Sequence, residues 1–384
     1  MTPELNVLLQ SIRPPQAENQ ERPSIPPDMD WDRLLRLAVT YEVFPLVNRY
    51  VKTFDPQQQP LPPRCRDEWR KQAQVFAMQS LVVARQLLSI IDVLGQRDIG
   101  IIPFKGPVLA RQAYGDVALR QFTDLDFFVK PQDYSAVYNV LTDAGFVLPD
   151  KNMEPMIGYW ATLGRDLVLR NARIVLDIHP RLIQGPKLFA IPPEMWERTN
   201  AIQLLDRPVN ALSPEDTLVT LALHGARNNW TSLKALADTA HLLANNSDMD
   251  SSYILRTIKQ FGAEKILDTA LKMARQLFDV PIPLELSGKP VTGALFNALA
   301  PDNKEDDDHA AILTVMFRSL DSFRQKIPYL RYFLFTPTTE DVRRVRLPGP
   351  LRFFYRILRP CRLAWRFLMK ILPSLPHVQK KRMS

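Results

Sequence analysis

The chain has 384 residues, 46% of them apolar and 23% charged, a balance that can bury a sizeable core and excludes a disordered or polyelectrolyte body. Its two cysteines, Cys65 and Cys361, stand far apart with no Cys-x-x-Cys spacing, which excludes a thiolate zinc site and a disulfide framework and fits a reducing, cytoplasmic compartment. The net charge of +8 is unevenly placed: residues 342–384 hold twelve Lys or Arg and no Asp or Glu, leaving 37 basic against 41 acidic residues elsewhere, so the body does not carry the basic groove that template nucleic acid requires.

Residues 1–30 contain Pro14, Pro15, Pro23, Pro26 and Pro27 among polar residues and are expected to form an irregular arm; acids and prolines without an apolar run also argue against a secretory signal. No stretch reaches roughly eighteen uncharged apolar residues, so a membrane-spanning helix is not expected. Residues 31–98 predict a helical region. Leu34, Leu35, Leu37 and Ala38 recur at helical spacing after Asp30-Trp31-Asp32, and Asp67 to Leu94 is a long periodic run without Gly or Pro.

The texture changes over residues 99–208. Ile101 to Phe104 reads as a short buried strand, and Gly106-Pro107 opens a helix with proline where its missing N–H costs nothing. Leu125 to Val129 is a second apolar strand, Pro131 to Gly145 a helix closed by glycine, and Leu167–Leu169 with Ile174–Ile178 a hairpin around Asn171-Ala172. Residues 209–340 return to helix. Ser213 is an N-cap followed by Pro214 and an acid, and further helices are expected over Leu233–Leu243, Tyr253–Phe261, Ile266–Phe278 and Ala310–Arg324. In the tail, residues 341–384, Arg352, Arg356, Arg359, Arg362, Arg366 and Lys370 recur every three or four positions with apolar residues between them. Such a basic amphipathic helix has two uses, a peripheral contact with anionic lipid or packing of its arginines against the acidic body, and the second is favoured.

The chemistry lies in three acids. Asp124-Leu125-Asp126 starts a strand, so both carboxylates project to one face. Asp177 alone interrupts the buried pattern Ile174 to Ile178, and it needs a cation: a metal, or one of Arg165, Arg170 and Arg181 in a structural ion pair. Lys105-Gly106 lies at a strand-to-helix turn, where free N–H groups, a close-approach glycine and a point charge favour phosphate, and Arg120 is a second candidate cation. His179 shares a face with Asp177, either orienting it or contacting a nucleotide, with a purely structural histidine as the alternative; His224 and Asp238 are candidates to meet as a hydrogen-bonded pair joining two helices.

In order and spacing, strand, Lys-Gly turn, helix, Asp-x-Asp strand, helix and a later strand with one acid resemble the DNA polymerase β-like nucleotidyltransferase core. More closely, they resemble the uncharacterised bacterial nucleotidyltransferase family, whose members carry a Lys-Gly turn, an Arg before an Asp-x-Asp strand, and an acid-x-His strand. Ser213 to Asp216, Leu223 to Ala226, Trp230, Leu233 and Asp238, and Leu347-Pro348 through Leu363, extend the likeness over roughly residues 30 to 370. The chain departs from the wider superfamily at Pro107, which replaces the usual serine and has no N–H to offer phosphate.

The resemblance implies an α+β fold, with a small mixed sheet bearing the acids and helical segments on both sides. It implies Asp124, Asp126 and Asp177 as catalytic metal ligands for Mg2+ or Mn2+, and Lys105, Gly106, Arg120 and His179 around a nucleoside triphosphate. The expected reaction is transfer of a nucleoside monophosphate to a hydroxyl acceptor of unspecified identity. The alternative is an interaction module that keeps the fold and binds nucleotide with weak or no turnover.

Overall fold

The computed structural model of the chain describes residues 2–15, 25–26, 29–53, 61–284 and 309–371. The first helices are α1 (Pro3–Ser11), α2 (Trp31–Thr40), α3 (Phe44–Val51) and α4 (Pro63–Gly95). Helix α1 corrects the expectation of an irregular arm. Thr2 caps it, Pro3 occupies its first turn, and Val7, Leu8 and Ile12 are buried. The prolines that suggested irregularity follow the helix instead of interrupting it, and the Ile12 carbonyl meets Nε2 of His241 at 3.1 Å.

Next come β1 (Ile101–Pro103), α5 (Gly106–Tyr114), β2 (Asp124–Val129), α6 (Tyr134–Asp143), α7 (Ile157–Leu163), β3 (Leu167–Arg170) and β4 (Val175–His179). The strands form one mixed sheet in the order β1-β2-β4-β3, with β2 and β4 parallel and the outer pairs antiparallel. The expected hairpin is present. Asn171 turns it by accepting hydrogen bonds from the backbone N–H groups of Arg173 and Ile174.

After α8 (Pro193–Glu197), β5 (Asn200–Leu204) and β6 (Arg207–Ala211) make a second hairpin that the sequence did not announce, because Pro208 interrupts its alternation. Arg207 fixes it to α4 through two contacts with Asp92, at 2.6 and 2.7 Å. The chain then runs through α9 (Pro214–Arg227), α10 (Leu233–Asn245), α11 (Ser251–Gln260), α12 (Glu264–Phe278), α13 (His309–Ser319), α14 (Phe323–Phe335), α15 (Thr339–Arg344) and α16 (Tyr355–Ile371). The single helix expected over Ala310–Arg324 is therefore two helices. Asp321 between them caps α12 through the N–H groups of Glu264 and Lys265, while its own N–H bonds to Gly262 O; these tertiary bonds outweigh local propensity.

The architecture is α+β, and strand alternation decides where its core sits. Leu125, Phe127 and Val129 of β2, with Leu176 and Ile178 of β4, turn to one face and pack with Val83, Leu87 and Ile90 of α4 and Val137 and Leu141 of α6. The opposite face carries Asp124, Asp126 and Phe128 beside Asp177 and His179. Helices before and after the sheet in sequence, α1 to α3 and α9 to α12, share one core. Helix α4 has the length and apolar composition of a membrane span, but part of it packs in these cores, with Trp69 in one and Val83, Leu87 and Leu94 in the other.

Candidate active site

Parallel pairing of β2 with β4 builds the site. Its register sets Asp126 beside Asp177 and Phe128 beside His179. One carboxylate oxygen of Asp126, one of Asp177 and a ring nitrogen of His179 lie within 4.8 Å of one another. Asp124, one strand repeat away on the same face, is outside that group. The first chemical need is to keep Asp126 ionised although it is only 4% exposed. Burial opposes its charge, but Lys105 Nζ at 3.0 Å and His179 Nε2 at 3.2 Å, both on Oδ1, hold its carboxyl well below the usual range. Among the described residues no hydrogen bond reaches its Oδ2.

Asp177 is the opposite case. No ion pair with Arg165, Arg170 or Arg181, and none with any other described residue, neutralises it. Burial, opposed by His179 and reinforced by the neighbouring Asp126, Asp166 and Asp124, pushes its carboxyl up to about 6. An unpaired acid beside the open oxygen of Asp126 fits a hard divalent cation, which takes carboxylate oxygens and offsets the mutual repulsion of the pair.

His179 is clamped. Its Nε2 faces Asp126 and its Nδ1 lies 3.0 Å from Asp166 Oδ1. Burial disfavours the charged ring, but the two carboxylates outweigh that and raise its pKa to about 9. With carboxylates facing both nitrogens, the ring is a counter-charge to Asp126 and Asp166. Asp166 is the residue that sequence reasoning missed. It stands just before β3, and its signal was the hairpin register: one step beyond the Leu167–Ile178 pair, Asp166 falls opposite His179. Arg227 of α9 lies 3.7 Å from its other oxygen. Phe104 and Phe128 of the core stack at 4.0 Å, and the imidazole makes edge contacts with both rings.

Lys105 and Gly106 occupy the turn into α5 as expected, with Lys105 at the N-cap. Gly106 has φ +57°, and a Cβ there would lie 3.4 Å from Asp124 O and from Leu125 Cδ2. The space suffices, so the cost of Gly106→Ala is the left-handed backbone alone, about 1–2 kcal/mol. Urea denaturation of that variant is expected to show a loss of this size with the fold retained.

Two other sequence-based expectations are corrected. Arg120 does not face the turn: it is buried, and its Nε bonds both oxygens of Asp238 at 2.9 and 3.0 Å, with Tyr114 Oη donating to the same carboxylate at 2.8 Å. Asp238 is thereby unavailable to His224, which instead meets Leu182 O at 2.8 Å and is held neutral by burial and by nearby Lys105 and His179.

No curated protein matches the chain in sequence. Among solved structures, the antibiotic-resistance factor ANT(2'')-Ia is similar at 11% identity and a TM-score of 0.36, over 47% of this chain and 92% of that one. A family model described as uncharacterised nucleotidyltransferase matches residues 27–279, from before α2 to the end of α12 and across the whole acid-bearing sheet, and the chain belongs to that family.

Proposed function

We propose that this protein transfers a nucleoside monophosphate from a nucleoside triphosphate to a hydroxyl acceptor, with Asp126 and Asp177 as the principal ligands of Mg2+ or Mn2+ and Asp124 completing the acidic face. The observation that supports this most directly is the side-by-side placement of Asp126 and Asp177, one with an open oxygen and the other without an ion pair. A divalent ion bound there would neutralise charge developing on the α-phosphate and its leaving group. The protein's own part is positional. Lys105 sits where the N–H groups opening α5 and its ammonium serve phosphate oxygens, and Asp177 is placed to take the proton of the acceptor hydroxyl. The hydroxyl oxygen then bonds to the α-phosphorus, the bond to the bridging oxygen breaks, and pyrophosphate leaves with that electron pair.

The test is incubation of the purified chain with each α-labelled triphosphate and cell extract, with Mg2+ or with EDTA. Metal-dependent label on an acceptor, with pyrophosphate released in equal amount, is the expected result; metal-independent labelling, or no labelling with any triphosphate, would refute it.

A second reading, a nucleotide-binding module without turnover, draws on one contact: Lys105 already occupies Asp126. The labelling experiment separates the two readings, and Lys105→Ala tests the contact itself. If Lys105 trades Asp126 for phosphate on substrate binding, this variant binds nucleotide-free Mn2+ roughly tenfold more tightly and triphosphate roughly tenfold more weakly. Calorimetry reads both constants, and a metal affinity that does not rise would show that the lysine is no competitor for the site.

A further inference from the structure

Helix α16 turns Arg359 and Arg362 inward and several apolar residues outward. Its buried side holds Tyr355, Arg359 and Arg362. Arg359 and Arg362 reach the Asp341 carboxylate at 3.2 and 2.5 Å, Arg362 reaches Glu340 at 2.7 Å, and Arg359 Nε also donates to Phe333 O. The favoured expectation for the tail, arginines packed on the body, is met at these positions, and the acids of α15 are consumed by it. The other face is consequently left over. Ile357, Leu358, Trp365 and Leu368 are 56, 37, 63 and 49% exposed. At 100° per residue Ile357, Cys361, Ala364 and Leu368 fall along one line, with Leu358 and Trp365 flanking it. Phe353 and Phe354, with ring centroids 4.2 Å apart in a tilted pair and also exposed, lead into the stripe.

Contiguous apolar surface on a water-facing helix marks an interaction site. Charge identifies the partner. Arg352 and Arg356 beside the stripe form no ion pair among the described residues, and no Asp or Glu occurs anywhere in residues 342–384, against an excess of acids in the rest of the chain. The partner must therefore present negative charge outside and hydrocarbon beneath. A bilayer has that layering: Arg at the phosphate level, Trp365 at the interface, and leucine and isoleucine below it. A protein surface would need the same layering built into a matching groove.

We propose that the outward face of α16 docks this protein on a bilayer containing anionic phospholipid, while its arginine face stays anchored to Glu340 and Asp341. The inference does not depend on the enzymatic reading, since none of these residues lies at the acidic face. The full chain is floated with vesicles of phosphatidylcholine alone or mixed with phosphatidylglycerol. Expected is at least roughly tenfold greater recovery with the anionic vesicles, reversed by high salt, and its loss in the triple variant Ile357→Ser, Trp365→Ser, Leu368→Ser. These positions are exposed, and an unchanged circular dichroism melt checks that the variant folds. Equal recovery with both vesicle types, or undiminished recovery of the variant, overturns the proposal. So does sedimentation showing a wild-type dimer that the variant abolishes without vesicle binding by either, which would assign the face to a second copy of the chain.

Discussion

Asp126→Asn is expected to reduce turnover by about 10³-fold or more while the protein remains folded, because the substitution keeps the shape of the side chain and removes the charge on which the proposed cation binding depends. The same change alters the local electrostatics in a way that separates it from a general loss of structure. Lys105 and His179 both lie against Asp126 Oδ1, and an amide there removes the counter-charge that these two cations share. A carboxyl whose pKa is depressed in the folded state contributes stability above its unfolded pKa, so losing the charge is destabilising at neutral pH, by about 1–3 kcal/mol. Both effects are measurable on one preparation: pyrophosphate release for turnover, and urea denaturation for stability. Turnover near the wild-type rate would remove Asp126 from the reaction. A collapse of the fold would mean that the lysine and histidine cannot be held without it, and Asp177→Asn, whose carboxyl has no ion pair to lose, would then carry the kinetic test.

The acidic face was legible in the sequence because it depends on local rules. An alternation of period two places Asp124 and Asp126 on one side of β2, the lone polar residue in Ile174 to Ile178 identifies Asp177, and Asn171 gives the turn between β3 and β4. What escaped depends on contacts across the fold. The partner of Arg120 is 118 residues away, and only the packing of α10 on α5 brings Asp238 to it. Asp166 required the register of a hairpin and not merely its existence. Prolines 14 and 15 outweighed the apolar spacing of α1, although a helix that ends just before them obeys the same proline rule. The periodicity of the tail showed two faces of α16 but not which one points inward; that was decided by Glu340 and Asp341, placed on a separate helix by the Thr338 cap.

Arg120→Met should be the most damaging single substitution to stability that these contacts allow, at about 3–5 kcal/mol, because it leaves the buried Asp238 carboxylate without its cation. The pair is 6% and 1% exposed at its side chains, so water cannot stand in for the guanidinium. The Tyr114 hydroxyl still donates one hydrogen bond to Asp238, which offsets only part of the loss. Adding Asp238→Asn to Arg120→Met removes the stranded charge and keeps an oxygen for Tyr114, so the double variant is expected to be more stable than Arg120→Met alone. Urea midpoints of the wild type, the two single variants and the double variant form the cycle. The same proteins, held well below their midpoints, decide the alternative role the sequence suggested for this residue. If the guanidinium serves only to join the segment before β2 to α10 through Asp238, triphosphate affinity stays that of the wild type while stability falls. Full stability with lost triphosphate affinity would return Arg120 to the phosphate site and require the contact with Asp238 to break when substrate binds.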